Sequence, residues 1–281
     1  MSIFKEKRYV RVDVESKPEE GLWMKCKSCG DLLFKRRVKE NNNICPSCGE
    51  YFFLTAMERV ETLVDEGSFV DGAKPIESND PLMFVDSKPY SQRLDEAREA
   101  TGLADAIVVG TADVGGIGIV LAVMDFRFIG GSMGSVMGEQ ICHGMETAVE
   151  KKVPFVLVSS SGGARIQEGV YSLMQMAKTA AVRKHLADAR LPFISIMTYP
   201  TSGGVQASIA SLGDIIIAER GTMIGFAGRR VIQSTIAKEL PPNYQTDSFA
   251  LEHGGIDRVV SRDVLRTELA DVLSFFSGVL S

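Results

Sequence analysis

Two segments of the chain share one pattern, in which an apolar run ends in hydroxyl residues, two adjacent glycines follow, and a helix-like pattern comes next. The segments are VPFVLVSSSGGARIQEG, residues 153–169, and LPFISIMTYPTSGGVQAS, residues 191–208. A glycine pair at the end of a buried strand allows a sharp turn and the close approach of another group. The alternation of buried strands and helices therefore predicts an α/β core with internal repetition.

The backbone amides that follow each glycine pair are candidates for anion binding. At the start of a helix they have no partner within it, and they lie at the positive end of its dipole. They suit a phosphate or the oxygen of an enolate. No G-x-x-x-x-G-K-[ST] occurs, and GGSMGS, residues 130–135, lacks the G-x-G-x-x-G spacing, which favours the enolate. A helix packed closely on a strand is the alternative explanation for either bend.

Side chains with obvious catalytic chemistry are scarce. The three histidines, His143, His185 and His253, lie in no recognisable motif, and neither G-x-S-x-G nor H-E-x-x-H occurs. Ser161 is interpreted as a helix cap. Chemistry that depends on backbone amides, with the base supplied from elsewhere, fits this inventory.

Four of the five cysteines form the pattern C-x2-C-x15-C-x2-C: Cys26, Cys29, Cys45 and Cys48. This spacing is typical of a four-cysteine zinc ribbon and predicts one structural Zn²⁺ per chain. Disulfides are the alternative, and a reducing cytoplasm argues against them. The fifth cysteine, Cys142, is interpreted as a small buried hydrophobic residue in a helix.

Composition excludes several function classes. The net charge of −5 gives no general case for binding nucleic acid or a membrane surface. No apolar run approaches the ~18 residues of a membrane span, and the charged N-terminal stretch is no secretory signal, so we expect a cytoplasmic protein. The basic segment KRRVK, residues 35–39, favours nucleic-acid binding as a function of the ribbon. Because four thiolates around Zn²⁺ offset most of that positive charge, a structural or lid role is preferred.

The pattern along the chain predicts four regions: an N-terminal tail (1–21), the zinc ribbon (22–52), a helical connector (53–100) and an α/β core (101–281). In the connector, LTAMERVETLVDEGSF and SQRLDEAREATG predict helices, the second closed by Gly102. In the core, residues 106–125 predict a β-hairpin that turns at Gly115 and Gly116.

Five motifs in this order carry a resemblance to a known family: the four-cysteine ribbon, GSMGSVMGE, SSSGGARIQEG, PTSGGVQAS and IGFAGRRVI. Together they are similar to the β subunits of bacterial acetyl-CoA carboxylase carboxyltransferases, from about Cys26 to Val260. The resemblance implies the crotonase-like (ClpP/crotonase) fold, a spiral of ββα units preceded by the zinc ribbon. It also implies transfer of a carboxyl group from carboxybiotin to acetyl-CoA, which gives malonyl-CoA for fatty-acid synthesis.

Partners and site residues follow from the same resemblance. The implied partners are a homologous α subunit, in an α2β2 assembly, a biotin carboxyl carrier protein and a separate biotin carboxylase. Because the active site would lie between α and β subunits, the isolated chain is expected to expose apolar surface. Gly203 and Gly204 are the first choice for the enolate's amides, and Gly162 and Gly163 would line the wall on the CoA side. Arg229 and Arg230 are assigned to the CoA phosphates, although a solvated helix start explains them equally well.

Two other functions remain open from sequence. One is a different crotonase-like enzyme, such as an acyl-CoA decarboxylase component or a hydratase, which the ribbon and GSMGSVMGE disfavour. The other is a zinc-ribbon protein that binds nucleic acid, whose binding would weaken steeply with salt.

Overall fold

The computed structural model of the chain describes residues 21–236 and 239–280. These residues form two compact units, which divide between Phe52 and Phe53. Across the described ranges, no helix combines the length and the apolar character that crossing a membrane requires.

The first unit is a small ribbon. Strands β1 (Trp23–Lys25) and β2 (Leu32–Phe34) pair antiparallel, and helix α1 (Lys35–Glu40) follows. Its buried apolar cluster consists of few residues, namely Cys26, Leu33, Val38 and Cys45, with Met24 and Phe52 packed against them. Such a small core buries little apolar surface, so this unit depends on further cross-links for its stability.

The second unit is built on one mixed sheet. Its strands are β3 (Val70–Asp71), β4 (Ile107–Val114), β5 (Ile117–Met124), β6 (Phe155–Ser161), β7 (Phe193–Ser202), β8 (Ile215–Glu219), β9 (Ile224–Gly225) and β10 (Arg258–Val260). Within the described residues the order is β10-β8-β7-β6-β5-β4-β3, and β9 pairs with the end of β7. Strands β5, β6, β7, β8 and β10 run parallel, whereas β3, β4 and β5 pair antiparallel.

The predicted hairpin is confirmed. β4 and β5 pair in register from Ile107 opposite Met124 to Val114 opposite Ile117. The two turn residues, Gly115 and Gly116, have φ angles of 58° and 78°. Two consecutive positive φ angles are what a two-residue hairpin turn needs to match the twist of its strands, and glycine adopts them without steric cost.

Helices cover both faces of this sheet. The helices that the structure describes in this unit are α2 (Ala56–Leu63), α3 (Tyr90–Thr101), α4 (Ser135–Lys151), α5 (Val170–Asp188), α6 (Gly203–Gln206), α7 (Arg229–Ile236), α8 (Asp247–Glu252) and α9 (Leu265–Leu280). Alternate residues of β6 enter two separate apolar layers: Phe155 and Leu157 pack with α3 and α4, whereas Val156 and Val158 pack with α2 and α9. Parallel strands buried on both faces explain the nearly continuous apolar runs in the sequence.

The connector helices are also confirmed. α2 begins with a capping box, in which Thr55 and Glu58 each bond the other's backbone N–H. α3 ends at Gly102, whose φ of 71° is left-handed. Both helices pack on the sheet within the second unit, because Val60 and Leu94 are buried in its two apolar layers.

Candidate functional site

The two glycine bends lie against each other at the carboxyl ends of β6 and β7. A Cβ on Gly203 would lie 2.9 Å from Gly163 Cα, and one on Gly163 would lie 3.0 Å from Gly203 Cα. Gly163 and Gly203 also have φ angles of 120° and 57°. Because β6 and β7 are neighbouring parallel strands, both bends fall at the sheet edge where α/β folds bind ligands. Sequence alone predicted both bends, and the structure brings them together.

The first bend differs from its prediction, because no helix follows it directly. Residues 162–165 form a loop, a 3-10 turn spans Ile166–Glu168, and α5 begins only at Val170. The Gly162 N–H donates to Gly130 O at 2.9 Å. The Gly163 N–H donates to Ser161 Oγ at 3.0 Å. In this conformation both amides are therefore occupied within the chain.

Ser161 is no helix cap, so that interpretation was wrong. Its hydroxyl donates to Gly131 O at 2.6 Å and accepts from the Gly163 N–H, which ties the first bend to the loop before α4. The side chain is fully buried. A hydroxyl can both donate and accept, and so it satisfies both partners at once.

Ala164 supplies a donor that sequence reasoning missed. Its N–H donates to no group in the part of the chain that the structure describes, whereas the N–H groups of Gly162, Gly163 and Arg165 all donate to groups of the chain. It also lies beside the second bend, since a Cβ on Gly204 would be 3.3 Å from Ala164 N. Its sequence signal was its position directly after the Gly-Gly pair.

The second bend does open a helix at once, as predicted. α6 begins at Gly203, so the N–H groups of Gly203 and Gly204 precede the first helical hydrogen bonds. α6 is only four residues long, and its dipole is correspondingly small. Any anion binding here therefore depends on the N–H groups themselves. The missing side chain of Gly204 would point towards Met176 Sδ, 3.1 Å away, and Ala164 Cβ, 3.2 Å away.

A buried ion pair, Arg165 with Asp105, lies next to the first bend. Arg165 is 0 % exposed, and its two terminal nitrogens donate to the two carboxylate oxygens of Asp105 at 2.7 and 2.8 Å. Burial works against the charge of Arg165, but Asp105 outweighs it and raises the pKa of the guanidinium further. This arginine lies within the SSSGGARIQEG motif, and the sequence alone indicated no role for it. Nothing in a single sequence shows that Arg165 and Asp105 meet.

The four ribbon cysteines lie together, as the spacing predicts. Their sulfur atoms are all within 4.8 Å of one another. Cys26 Sγ lies 3.7 Å from Cys48 Sγ, and Cys29 Sγ lies 3.8 Å from Cys45 Sγ. Zn–S bonds of about 2.3 Å in a tetrahedron place the sulfurs about 3.8 Å apart. The thiolate set therefore fits a tetrahedral metal ion.

Each cysteine pair forms the same turn. Gly30 N–H donates to Cys26 O at 3.0 Å, and Gly49 N–H donates to Cys45 O at 2.9 Å. Both glycines have left-handed φ angles, 79° and 77°, which explains a glycine directly after each second cysteine. The repeated turn presents two cysteines from each side of the site.

Comparison with known proteins assigns the family. A family described as "Carboxyl transferase domain" matches residues 53–270, and one described as "Acetyl-CoA carboxylase zinc finger domain" matches residues 23–48. The acetyl-coenzyme A carboxylase carboxyl transferase subunit beta of Carboxydothermus hydrogenoformans is 46% identical over 98% of this chain and 98% of its own length. The corresponding protein of Thermus thermophilus is 50% identical over 90% of this chain and 88% of its own.

The chain belongs to the acetyl-CoA carboxylase carboxyl transferase β-subunit family. The resemblance inferred from the five motifs is thereby confirmed, as is the carboxyltransferase type of α/β fold with an N-terminal four-cysteine zinc ribbon.

Solved structures agree with this fold. The transcarboxylase 12S structure with methylmalonyl-coenzyme A bound has a TM-score of 0.67 and 26% identity. The match covers 85% of this chain but only 44% of that one, so the chain spans less than half of the larger protein. A Pseudomonas malonate decarboxylase hetero-dimer shares the fold with a TM-score of 0.61, at 23% identity over 79% of this chain and 86% of that one.

The remaining candidate residues are placed as follows. The backbone of Arg229 and Arg230 forms the start of α7, and their side chains lie outside the described residues. Cys142 is buried in α4, where burial raises the pKa of its thiol to about 11, as expected for an unreactive cysteine.

An apolar surface is exposed where α5 begins, as the family resemblance led us to expect. Ile166 is 78% exposed, and Val170, Leu173 and Met174 are exposed on the following helix. A Cβ on Gly169 would lie 3.0 Å from Leu82 Cδ1, which places the exposed Leu82 beside the helix start. Met83 and Val85, which follow Leu82 in the same loop, are also exposed. Large exposed apolar patches mark surfaces that bind other molecules. We refer to these residues as the α5 patch.

Proposed function

We propose that this chain is the half of a carboxyltransferase that binds the acyl-CoA, transferring the carboxyl group of carboxybiotin to acetyl-CoA to give malonyl-CoA. The observation that carries the proposal is the pair of glycine bends in backbone contact, in a chain with the family's carboxyl transferase domain and zinc finger. Such a product serves fatty-acid synthesis, and we place the enzyme in the cytoplasm.

The reaction requires removal of a proton from the acetyl methyl group, and the negative charge moves to the thioester oxygen. In the described part of the chain, no acidic or basic side chain hydrogen-bonds with residues 162–164 or 203–204. The bends therefore suit a reaction whose base arrives with the other substrate. Carboxybiotin on a partner protein would supply the carboxyl group as CO₂, and the biotin left behind would take the methyl proton.

Backbone amides would stabilise the thioester oxygen. Gly203 and Gly204 remain our first choice, and the free N–H of Ala164 beside Gly204 is a further donor. Fixed N–H groups stabilise a developing negative charge without reorganising, and loss of one donor typically costs ~10²–10³ in rate. Gly162 and Gly163 would shape the adjoining wall, because their own amides donate within the chain. The assignment of Arg229 and Arg230 to the CoA phosphates stays a prediction.

A single core offers a wall for the thioester but needs a second wall for biotin. We propose that a homologous α subunit supplies it by covering the α5 patch, in an α2β2 assembly that receives the biotin carboxyl carrier protein from a separate biotin carboxylase. The exposed apolar residues of the patch support this, since leaving them in water is unfavourable. We further propose one structural Zn²⁺ per chain, held by Cys26, Cys29, Cys45 and Cys48.

The test is reconstitution. Purified chain, the α subunit and carboxylated carrier protein would be assayed alone and mixed, with malonyl-CoA followed by mass spectrometry. We expect product only when both subunits are present, with acetyl-CoA preferred over propionyl-CoA. Product formed by the isolated chain as fast as by the mixture would contradict the shared site, and no product from any mixture would contradict the function.

A further inference from the structure

The guanidinium of Arg165 is saturated with hydrogen bonds inside the second unit. Besides the two bonds to Asp105, it donates to Ser132 O at 2.7 Å and to Ser132 Oγ at 3.2 Å. It also donates to Tyr90 Oη at 3.1 Å and to Ser78 Oγ at 3.2 Å. Its carbon lies 5.4 Å from the centre of the Phe128 ring. A fully buried charge is tolerated when every donor has a partner, as here.

This network joins segments that are distant in sequence. Asp105 precedes β4, Tyr90 begins α3, and Ser132 lies in the loop before α4. Glu168 extends it: its carboxylate accepts from Tyr90 Oη at 2.7 Å and from the N–H of Ser135, the first residue of α4, at 2.6 Å. The Arg165 side chain thus links the segment before β4, the start of α3 and the loop before α4.

Of these three segments, the loop before α4 is the one that holds the first bend. Gly130 O accepts from Gly162 N–H at 2.9 Å, and Met133 N–H donates to Gly163 O at 2.8 Å. Arg165 N–H in turn donates to Met133 O at 2.9 Å. Residues 130–133 and 162–165 therefore form one hydrogen-bonded layer. The guanidinium of Arg165 holds this layer in place by donating to Ser132 O and Ser132 Oγ.

The second bend rests on that layer. Gly163 and Gly203 touch through their backbones, so a shift of Gly163 displaces the start of α6. We propose that Arg165 and Asp105 are a positioning pair, which sets the geometry of the N–H groups of Ala164, Gly203 and Gly204. This inference rests on the proposed function, since it assigns those groups to the thioester oxygen.

The desolvation cost of burying Arg165 and Asp105 favours a positioning role for this ion pair. Burying a salt bridge often stabilises a protein less than well-packed apolar residues would, so stability alone is a weak reason for it. A planar guanidinium that donates two hydrogen bonds to one carboxylate fixes the direction as well as the distance of the contact. Errors of about 1 Å in a catalytic group can cost about 10²-fold in rate, which makes such precision valuable beside a reacting atom.

The experiment compares two buried arginines in the reconstituted α–β complex. Arg165→Lys keeps the charge but loses the fork. The matched control is Arg262→Lys, because Arg262 forms a similar two-bond contact with buried Glu219, at 2.9 and 2.8 Å, which joins β8 to the segment after β10. We expect both variants to lower the melting temperature. Only Arg165→Lys should lower kcat, by ~10–100-fold, with KM for acetyl-CoA changed less than about threefold.

A milder variant tests the same network in case Arg165→Lys fails to fold. Tyr90→Phe removes only the hydroxyl that bridges Glu168 and Arg165. We expect a smaller fall in kcat and faster amide hydrogen exchange at Ala207 and Ser208, whose N–H groups donate to Gly203 O and Val205 O, although these residues are distant from Tyr90 in sequence. Arg262→Lys should leave that exchange unchanged.

The outcomes distinguish a failure of the positioning role from a failure of the proposed function. An inactive wild-type complex would refute the proposed function. An active wild type, with Arg165→Lys and Tyr90→Phe matching Arg262→Lys in kcat and in exchange at Ala207 and Ser208, would overturn the positioning role. In that case Arg165 would be a stabilising residue only.

Discussion

Gly163 and Gly203 lie in backbone contact at the ends of two neighbouring strands, and neither position has room for a methyl group. A Cβ on either glycine would come within 2.9–3.0 Å of the other's Cα. Both φ angles are also in the region that side chains disfavour. The contact makes the two bends one structural element, so a change in one bend is expected to move the other.

The first prediction contrasts two adjacent glycines. Gly203→Ala should lower kcat for carboxyl transfer by ~10² or more, because its Cβ would strike Gly163 and its φ is left-handed. Gly204→Ala should lower kcat with little loss of stability, because Gly204 has no left-handed φ, but its Cβ would lie 3.2 Å from Ala164 Cβ and 3.3 Å from Ala164 N, beside the proposed donors. Gly118→Ala in β5 is the control, because its Cβ would meet only ordinary contacts, at 3.6 Å and beyond. An equal fall in melting temperature for Gly203→Ala and Gly204→Ala would contradict the geometry, and an unchanged kcat for both would contradict the site.

The second prediction concerns the metal. Protein purified under reducing conditions should contain one zinc per chain by elemental analysis, because the small core of the ribbon gains its stability from the metal. Cys45→Ser should abolish the bound zinc, whereas Cys142→Ser should leave it unchanged, since Cys142 lies in the other unit. Zinc-free wild-type protein with an intact ribbon would refute the site.

The third prediction concerns acid stability. Burial disfavours the charge of Glu219, but Arg59 and Arg262 outweigh this and lower the pKa of its carboxyl to about 2. An unfolded glutamate has a pKa of about 4.3. The stabilisation is therefore present above about pH 4.3 and is lost as the pH falls through that value towards 2.

The pH dependence of stability is measured as the melting temperature between pH 6 and pH 3. Glu219→Gln should destabilise the protein at pH 6 by about 3–5 kcal/mol, because it leaves two buried arginines without their carboxylate. The variant should also lose less stability on acidification than the wild type does. A fall with pH as steep as that of the wild type would show that Glu219 is not the group responsible.

The fourth prediction concerns the α5 patch. Leu173→Glu should weaken association with the α subunit by at least ~10-fold, because a charge would be buried in an apolar interface. The melting temperature of the isolated chain should hardly change, since Leu173 is exposed. Lys184→Ala, which removes an exposed ion pair with Asp188 on the same helix, is the control. Binding is measured by analytical ultracentrifugation, and unchanged association of Leu173→Glu would place the interface elsewhere.

Local sequence patterns determined much of this molecule. The cysteine spacing predicted the cluster of Cys26, Cys29, Cys45 and Cys48, and the apolar runs predicted β4 to β7. The glycines predicted the hairpin turn at Gly115 and both bends. These features depend on residues close in the chain, whose covalent geometry and periodicity limit the conformations they adopt.

Only the tertiary structure decided how those parts act together. The contact of Gly163 with Gly203 depends on how β6 and β7 pair. The loop that replaces a helix after Gly163, and the Ala164 N–H that has no partner among the described residues, depend on the hydrogen bonds of residues 162–165 to residues 130–133. Likewise, Arg165 meets Asp105 because α3, β4 and the loop before α4 converge behind the first bend. Such contacts join residues far apart in the chain, and one sequence carries no periodic signal for them. Their energies come from burial and hydrogen bonding that exist only once the sheet has formed.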